Sequence, residues 1–172
     1  MPRDLTVSDS VTVAADAHTI WSALADPTQM PRWSPENTGA DVTSPSTVGS
    51  PLAVGDTFVG SNRRGRARWH TRCVVVAADP GRRFAFDVQA IGVRRPLLRA
   101  TIARWDYTLE PAADGSTVVT ETWRDGRRRW PDALAAVFDK AVTGGRLFAD
   151  FQRTNIRRTL DRLKADFEGT AA

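Results

Sequence analysis

Residues 146–167 read RLFADFQRTNIRRTLDRLKADF, a run with neither glycine nor proline. At about 100° per residue, Phe148, Gln152, Ile156, Thr159, Leu160, Leu163 and Phe167 fall on one broad stripe. Arg146, Arg153, Arg157 and Lys164 fall on the far side, which reads as a solvated face. A helix with such a stripe must bury it against an apolar surface supplied by the rest of the chain.

The residues upstream supply that surface as strands. The first runs from Leu5 to Ala15, with Val7, Val11 and Val13 on one face. Asp16 then reads as an N-cap, and Ile20, Trp21 and Leu24 share one face of a short helix behind it. Pro27 opens a second short helix through Met30 to Trp33, made irregular by Pro31. Six strands are predicted to follow: a weak one over 37–44, then Asp56–Arg64, Ala67–Ala77, Arg82–Ile91, Leu98–Leu109 and Thr117–Arg124. Turn chemistry bounds them at Gly55-Asp56, Arg64-Gly65, Asp79-Pro80-Gly81 and Asp114-Gly115. Phe84, Phe86 and Val88 oppose Ala85, Asp87 and Gln89; Trp105, Tyr107 and Leu109 oppose Arg104, Asp106 and Glu110. Trp69, Thr71, Cys73 and Val75 likewise oppose Arg68, His70 and Arg72. Such alternation places one face on a core and the other in water. After Trp130-Pro131 a short helix covers Asp132–Val142, and Gly144-Gly145 interrupts it, a hinge in waiting, before the long helix. The expectation is an α+β domain spanning 1–172: a curved antiparallel sheet of six to seven strands around a long C-terminal helix, with two short helices after the first strand.

The 172 residues suit one core. No stretch reaches the length of a membrane-spanning helix, and the N-terminus has no apolar signal core. Cys73 is the only cysteine, so no internal disulfide forms; it reads as a small buried apolar residue in a reducing compartment. The expected address is cytoplasmic. Net charge is +4, and of 24 basic residues only those at 140 and 164 are lysine. A mild excess of this kind does not by itself imply nucleic acid.

In this order, the pieces resemble a known family. They are Val11-Thr12-Val13 leading to Ile20-Trp21-Ser22-Ala23-Leu24-Ala25-Asp26-Pro27 and Trp33, then Val54-Gly55-Asp56-Thr57-Phe58 with Gly60 and Asn62. Trp69, Pro80-Gly81-Arg82-Arg83-Phe84-Ala85-Phe86, Trp105-Asp106-Tyr107, Thr120-Glu121-Thr122-Trp123 and Thr159-Leu160-Asp161-Arg162-Leu163-Lys164 complete the match. The chain resembles the SRPBCC superfamily, also called START-like or helix-grip, and within it the polyketide cyclase/dehydrase-like group. The resemblance implies a helix-grip fold with a cavity between sheet and helix. It does not fix chemistry, since relatives include lipid carriers, hormone receptors and cyclases. The loop from Ser44 to Val54 is longer than is usual for the group.

On that fold Phe58, Asn62, Trp69, Phe84, Phe86, Trp105 and Tyr107 are expected on the inner wall, with Gly60 and Ala103 leaving space. Trp33 closes the cavity from the second short helix, and Trp123 and Phe148 join the wall from the last strand and the long helix. Polar residues among them carry more information, because a buried unpaired polar group costs roughly 1–3 kcal/mol. Asn62 shares the face of Phe58. Glu121 lies between Val119 and Trp123. Gln152 is central in the helix stripe, with Asn155 at its edge. A carboxylate on an apolar wall has a raised pKa, which suits it to donate a hydrogen bond or to act as a general acid or base; Glu121 and Tyr107 are the catalytic candidates.

Successive turns of an antiparallel meander alternate between two ends. The turns near 45–55, 79–81 and 112–115 carry no arginine, but Asp79 and Asp114. The other end gathers Arg63, Arg64, Arg66, Arg94, Arg95, Arg127, Arg128 and Arg129. Arg64, Arg95, Arg127, Arg128 and Arg129 are therefore expected to rim the cavity mouth and attract an anionic head group. His18 and His70 read as surface residues too far apart for a metal, and no nucleophile elbow, phosphate loop, dinucleotide fingerprint or nucleic-acid readout motif is present. No cofactor or metal is expected, and nucleic acid is not the expected partner. Three readings stay open: binding of a hydrophobic or amphipathic, acidic, lipid-like or polyketide-like molecule; a polyketide cyclase or dehydratase using Glu121 and Tyr107; and an interaction module whose basic end meets nucleic acid or, peripherally, an anionic membrane. The residues do not choose an oligomeric state.

Overall fold

The computed structural model describes residues 4–43, 49–96, 98–128, 130–143, 145 and 147–169, with backbone alone at 98–100, 138, 141 and 142. β1 (Thr6–Val13) leads into α1 (Ala17–Leu24) and a 3-10 helix (Pro27–Arg32). Then come β2 (Asn37–Val42), β3 (Thr57–Arg64), β4 (Ala67–Asp79), β5 (Arg83–Gly92), β6 (Leu98–Pro111) and β7 (Thr117–Asp125), followed by α2 (Asp132–Thr143) and α3 (Phe148–Phe167). The strands form one antiparallel sheet in the order β1-β7-β6-β5-β4-β3-β2. This is the helix-grip arrangement expected from the strand pattern and the helix stripe.

Local chemistry sets the boundaries. Asp16 caps α1 by accepting from the Thr19 amide at 2.9 Å, and Asp26 does the same for the 3-10 helix through Thr28 at 3.0 Å. Gly65 turns β3 into β4 at a φ of 56°, where a side chain is strained. Gly126, just past β7, has a different reason: a Cβ there would lie 2.6 Å from the Thr101 carbonyl oxygen. Leu52 is 1% exposed and its amide donates to Ala25 at 2.8 Å, so the β2–β3 connection plugs into the core beside α1. The Ser44–Thr47 part of that loop, with Val48, lies outside the described residues.

The sheet's inner face packs Val13, Phe58, Val75, Phe84 and Val119 with Ile156, Leu160 and Leu163 of α3. On the far side of α3, Arg153 and Arg157 are exposed as expected; Arg153 also pairs with Asp4, Arg157 with Asp9, and Lys164 donates to the Thr12 carbonyl. One outer feature differs from the sequence expectation. Asp106, expected in water, is 3% exposed because Arg83 and Arg124 close over it. Burial pushes its carboxyl up, but the hydrogen bonds from Arg83 and Arg124 outweigh that and hold it below the usual range. Arg104 covers Asp87 in the same way. Long arginine stems thus shield the outer face of the central strands.

Candidate functional site

Alternation along β7 turns Thr117, Val119, Glu121, Trp123 and Asp125 inward, each of them buried. Glu121 stands opposite Tyr107 in the β6–β7 register, and the Tyr107 hydroxyl donates to Glu121 Oε1 at 2.9 Å. Burial pushes the Glu121 carboxyl up to about 8, and the bond from Tyr107 offsets only part of that. Glu121 therefore carries its proton at neutral pH and presents one O–H donor. Burial, and then the Glu121 charge, raise the Tyr107 phenol well above its ordinary value, so it stays a donor. Gln152 is buried on the facing stripe of α3. Glu121 Oε2 and Gln152 Oε1 are both buried and meet no hydrogen-bond partner among the described residues. Sheet and helix thus each contribute one unsatisfied oxygen to the layer between them.

The apolar wall around them is aromatic. Phe58 packs edge-on to Phe86 at 5.2 Å, Phe84 lies 6.1 Å from Phe86, and Trp123 stacks on Phe148 at 6.2 Å. Trp105 is half-buried opposite Trp123. Trp33 is buried where the C-terminal end of α3 meets the 3-10 helix; its indole N–H donates to Asp166 at 2.9 Å and its ring stacks on Phe167. Asn62 turns inward but is engaged with the Gly60 carbonyl and Thr71 Oγ1 at 3.2 and 3.3 Å. The space expected at Gly60 is small, since Thr71 Oγ1 would lie 3.1 Å from a Cβ there.

Asn155 and Arg64 meet through a residue that pattern reading missed. Glu36 accepts from Arg64 at 2.5 Å and from Asn155 at 3.1 Å. The Arg64 guanidinium also lies 3.8 Å above the Phe151 ring and 5.4 Å from Trp69. Glu36 precedes a weak strand and belongs to no periodic run, so only the fold reveals it.

The turns at 64–67 and 92–98 and the exit after Asp125 do fall at one end of the sheet. Arg95 and Arg128 are exposed there. Arg127 is placed differently from the rim position expected of it: it is 5% exposed, bonded to Asp125 at 2.8 Å and to Asp139 of α2 at 2.7 Å. The reason is that Asp125 already points inward, and Arg127 folds back on it with its charge neutralised. Asp139 also accepts from the Phe148 amide at 3.1 Å, so one carboxylate ties β7, α2 and the start of α3 together. Arg129 lies outside the described residues. Among the described residues no group of acidic, histidine and cysteine side chains has the spacing of a metal site, and no helix is long and apolar enough to cross a membrane.

Comparison with known proteins agrees with this architecture. No curated protein matches the chain. Among solved structures, a START superfamily protein from Mycobacterium smegmatis superposes with a TM-score of 0.67 at 16% identity, covering 96% of this chain and 99% of the other. The Polyketide_cyc-like protein Cgl2372 from Corynebacterium glutamicum gives 0.59 at 26% identity, covering 99% and 95%. The di-domain ARO/CYC StfQ of the steffimycin biosynthetic pathway gives 0.64 at 14% identity, with 95% of this chain covering 45% of that one. A family model described as polyketide cyclase / dehydrase and lipid transport matches residues 4–168. The chain therefore belongs to the polyketide cyclase/dehydrase and lipid transport family of the SRPBCC superfamily.

Proposed function

We propose that this protein binds an apolar or amphipathic small molecule, lipid-like or polyketide-like, in the layer between the inner sheet face and α3. The observation that carries this reading is the pair of buried, unsatisfied oxygens, Glu121 Oε2 and Gln152 Oε1. Leaving such groups unpaired costs roughly 1–3 kcal/mol each, and a ligand's hydroxyl or carbonyl would recover it. Protonated Glu121 offers a donor and Gln152 an acceptor, so the ligand's buried part carries a neutral polar group on an apolar body. An acidic head group, if the ligand has one, belongs at the mouth, near exposed Arg95 and Arg128. Exposed Val93, Leu134 and Val137 lie on the elements at that same end, and they support ligand exchange at an anionic lipid surface.

Native mass spectrometry of protein purified from its own host, with displacement by a fluorescent fatty-acid probe, tests the binding reading. A retained apolar ligand and saturable probe binding are expected. Absence of both refutes it.

A second reading, cyclase or dehydratase chemistry, is favoured by one detail. A carboxyl held protonated near neutrality beside a phenol donor is suited to give and take back a proton at a substrate carbonyl. E121Q separates the readings. Glutamine keeps an acceptor for Tyr107 and a donor for the ligand but cannot transfer a proton. Binding and function retained in E121Q favour the carrier; binding retained with turnover lost favours the enzyme.

A further inference from the structure

We propose a second ligand site, separate from the inner layer: a groove on the outer face of the sheet at its β2 edge, which takes a phosphorylated, hydroxyl-bearing small molecule such as a sugar phosphate or nucleoside monophosphate. The groove is open to solvent, has a volume of about 510 Å³, and is lined by Thr38–Asp41 of β2, Ser61–Arg63 of β3, and Arg68 and His70 of β4. That volume suits a small ligand.

The alternation that turns Phe58, Gly60 and Asn62 inward turns Val59, Ser61 and Arg63 outward. The β3–β4 register then sets Ser61 opposite His70 and Arg63 opposite Arg68. Like charges placed directly across an antiparallel pair repel one another. On the central strands the outer face neutralises its arginines, Arg83 and Arg124 sharing Asp106 and Arg104 taking Asp87; toward the β2 edge it does not, and exposed Arg72 of β4 has no ion pair among the described residues. Arg63 and Arg68 are exposed and have no carboxylate within ion-pair distance among the described residues. Two arginines directly opposite on paired strands, without an ion-pair partner among the described residues, match a doubly charged phosphate monoester, which both can grip through charge-assisted hydrogen bonds.

The remaining lining residues select the rest of the ligand. Ser61 Oγ and His70 Nδ1 are 3.2 Å apart, which orients the imidazole, and its Nε2 meets no partner among the described residues. Thr38 Oγ1 donates to the Ser61 carbonyl and stands beside them. These groups suit the hydroxyls of a sugar. Asp41 lies opposite Val59, four residues along β3 from Arg63, or about 13 Å. It excludes a second anionic group at that end and accepts a hydroxyl or amine instead. The groove is thus mixed, its lining as much apolar as polar, cationic at one end and anionic at the other, and it reads a monophosphate rather than a polyanion.

Calorimetric titration of the full chain at low salt tests this with ribose 5-phosphate and adenosine monophosphate as probes, and ribose, adenosine and inorganic phosphate as comparators. Saturable binding of a phosphorylated probe is expected, weakened by about tenfold or more when the phosphate is removed. Inorganic phosphate should bind more weakly than either ester. The R63Q/R68Q variant should lose at least that factor while its Tm stays the same or rises, because a repulsive pair has been removed. R82Q/R158Q, which removes two exposed charges outside the groove, should bind as the parent does. No heat with either probe up to roughly millimolar concentration, equal loss in R82Q/R158Q, or full binding by R63Q/R68Q would each overturn the proposal. The fatty-acid probe of the inner layer should bind R63Q/R68Q normally, so failure here leaves the inner-layer reading standing, and the converse holds too.

Discussion

The protonated state of Glu121 has a measurable consequence for stability. Its carboxyl titrates near 8 in the folded chain and near 4.3 when unfolded. Between these values the folded chain holds a proton that the unfolded chain has released, so each rise in pH favours unfolding. The slope is about 1.4 kcal/mol per pH unit for one proton. Stability assignable to Glu121 is therefore greatest below about pH 4.5, falls through the interval, and levels off above pH 8, where both states are ionised. The full drop is about 3–5 kcal/mol, a large share of the roughly 5–15 kcal/mol that holds a domain folded. Urea unfolding followed by tryptophan fluorescence at pH 5, 6, 7, 8 and 9 measures it. E121Q is the reference, because every other titrating group is common to both proteins. The parent's stability minus that of E121Q should decline by about 3 kcal/mol or more from pH 5 to 8 and then flatten. A difference that is flat over this interval, or that rises, refutes a buried neutral carboxyl.

Three further outcomes follow from the same geometry. Y107F leaves Glu121 Oε1 without its donor; it should cost roughly 1–3 kcal/mol at pH 6 and move the pH-dependent decline to higher pH, which the same urea series reads. R127A strips the counter-charge from buried Asp125 and Asp139 and should cost about 3–5 kcal/mol, seen as a large drop in Tm at neutral pH; a loss under about 1 kcal/mol would mean the three groups are solvated. G126A puts a methyl group against the Thr101 carbonyl and should destabilise by about 1–3 kcal/mol, whereas G115A, with open space at its Cβ, should show only the smaller cost of its positive φ.

Elements with a strict period were legible before any fold was known. The α3 stripe and the alternation of β7 depend on residues two to four apart, and hydrophobic burial enforces them locally. That is why Glu121 and Gln152 could be singled out as polar residues within apolar runs. What pattern reading lost is non-local or irregular. Register shifts lie between Arg72 and Cys73, Val75 and Ala77, and Val88 and Ala90, and a shift of one residue reverses which face a side chain occupies. Glu36 acquires its role from Arg64 and from Asn155, 119 positions away. Arg127 looked like one of several turn arginines because counting positive residues ignores the carboxylates beside them. Charge in a turn is visible in a sequence; its neutralisation by a neighbouring helix is not.

The pairing of β1 with β7 also bears on how the chain is made. Val7 and Val13 lie opposite Trp123 and Thr117, so β1 is synthesised more than a hundred positions before the strand it pairs with. At synthesis rates of about 5–20 residues per second, β1 emerges roughly 5–20 seconds before β7 exists. During that time its backbone donors and apolar side chains have no native partner, while β3 to β6 can already pair as hairpins. Such a long-range closure slows folding, and α3, which clasps β1 through Arg153, Arg157 and Lys164, arrives later still. The nascent chain is thus exposed to misassembly at the β1 edge until α3 is released, which makes that edge the natural point of attention for a chaperone.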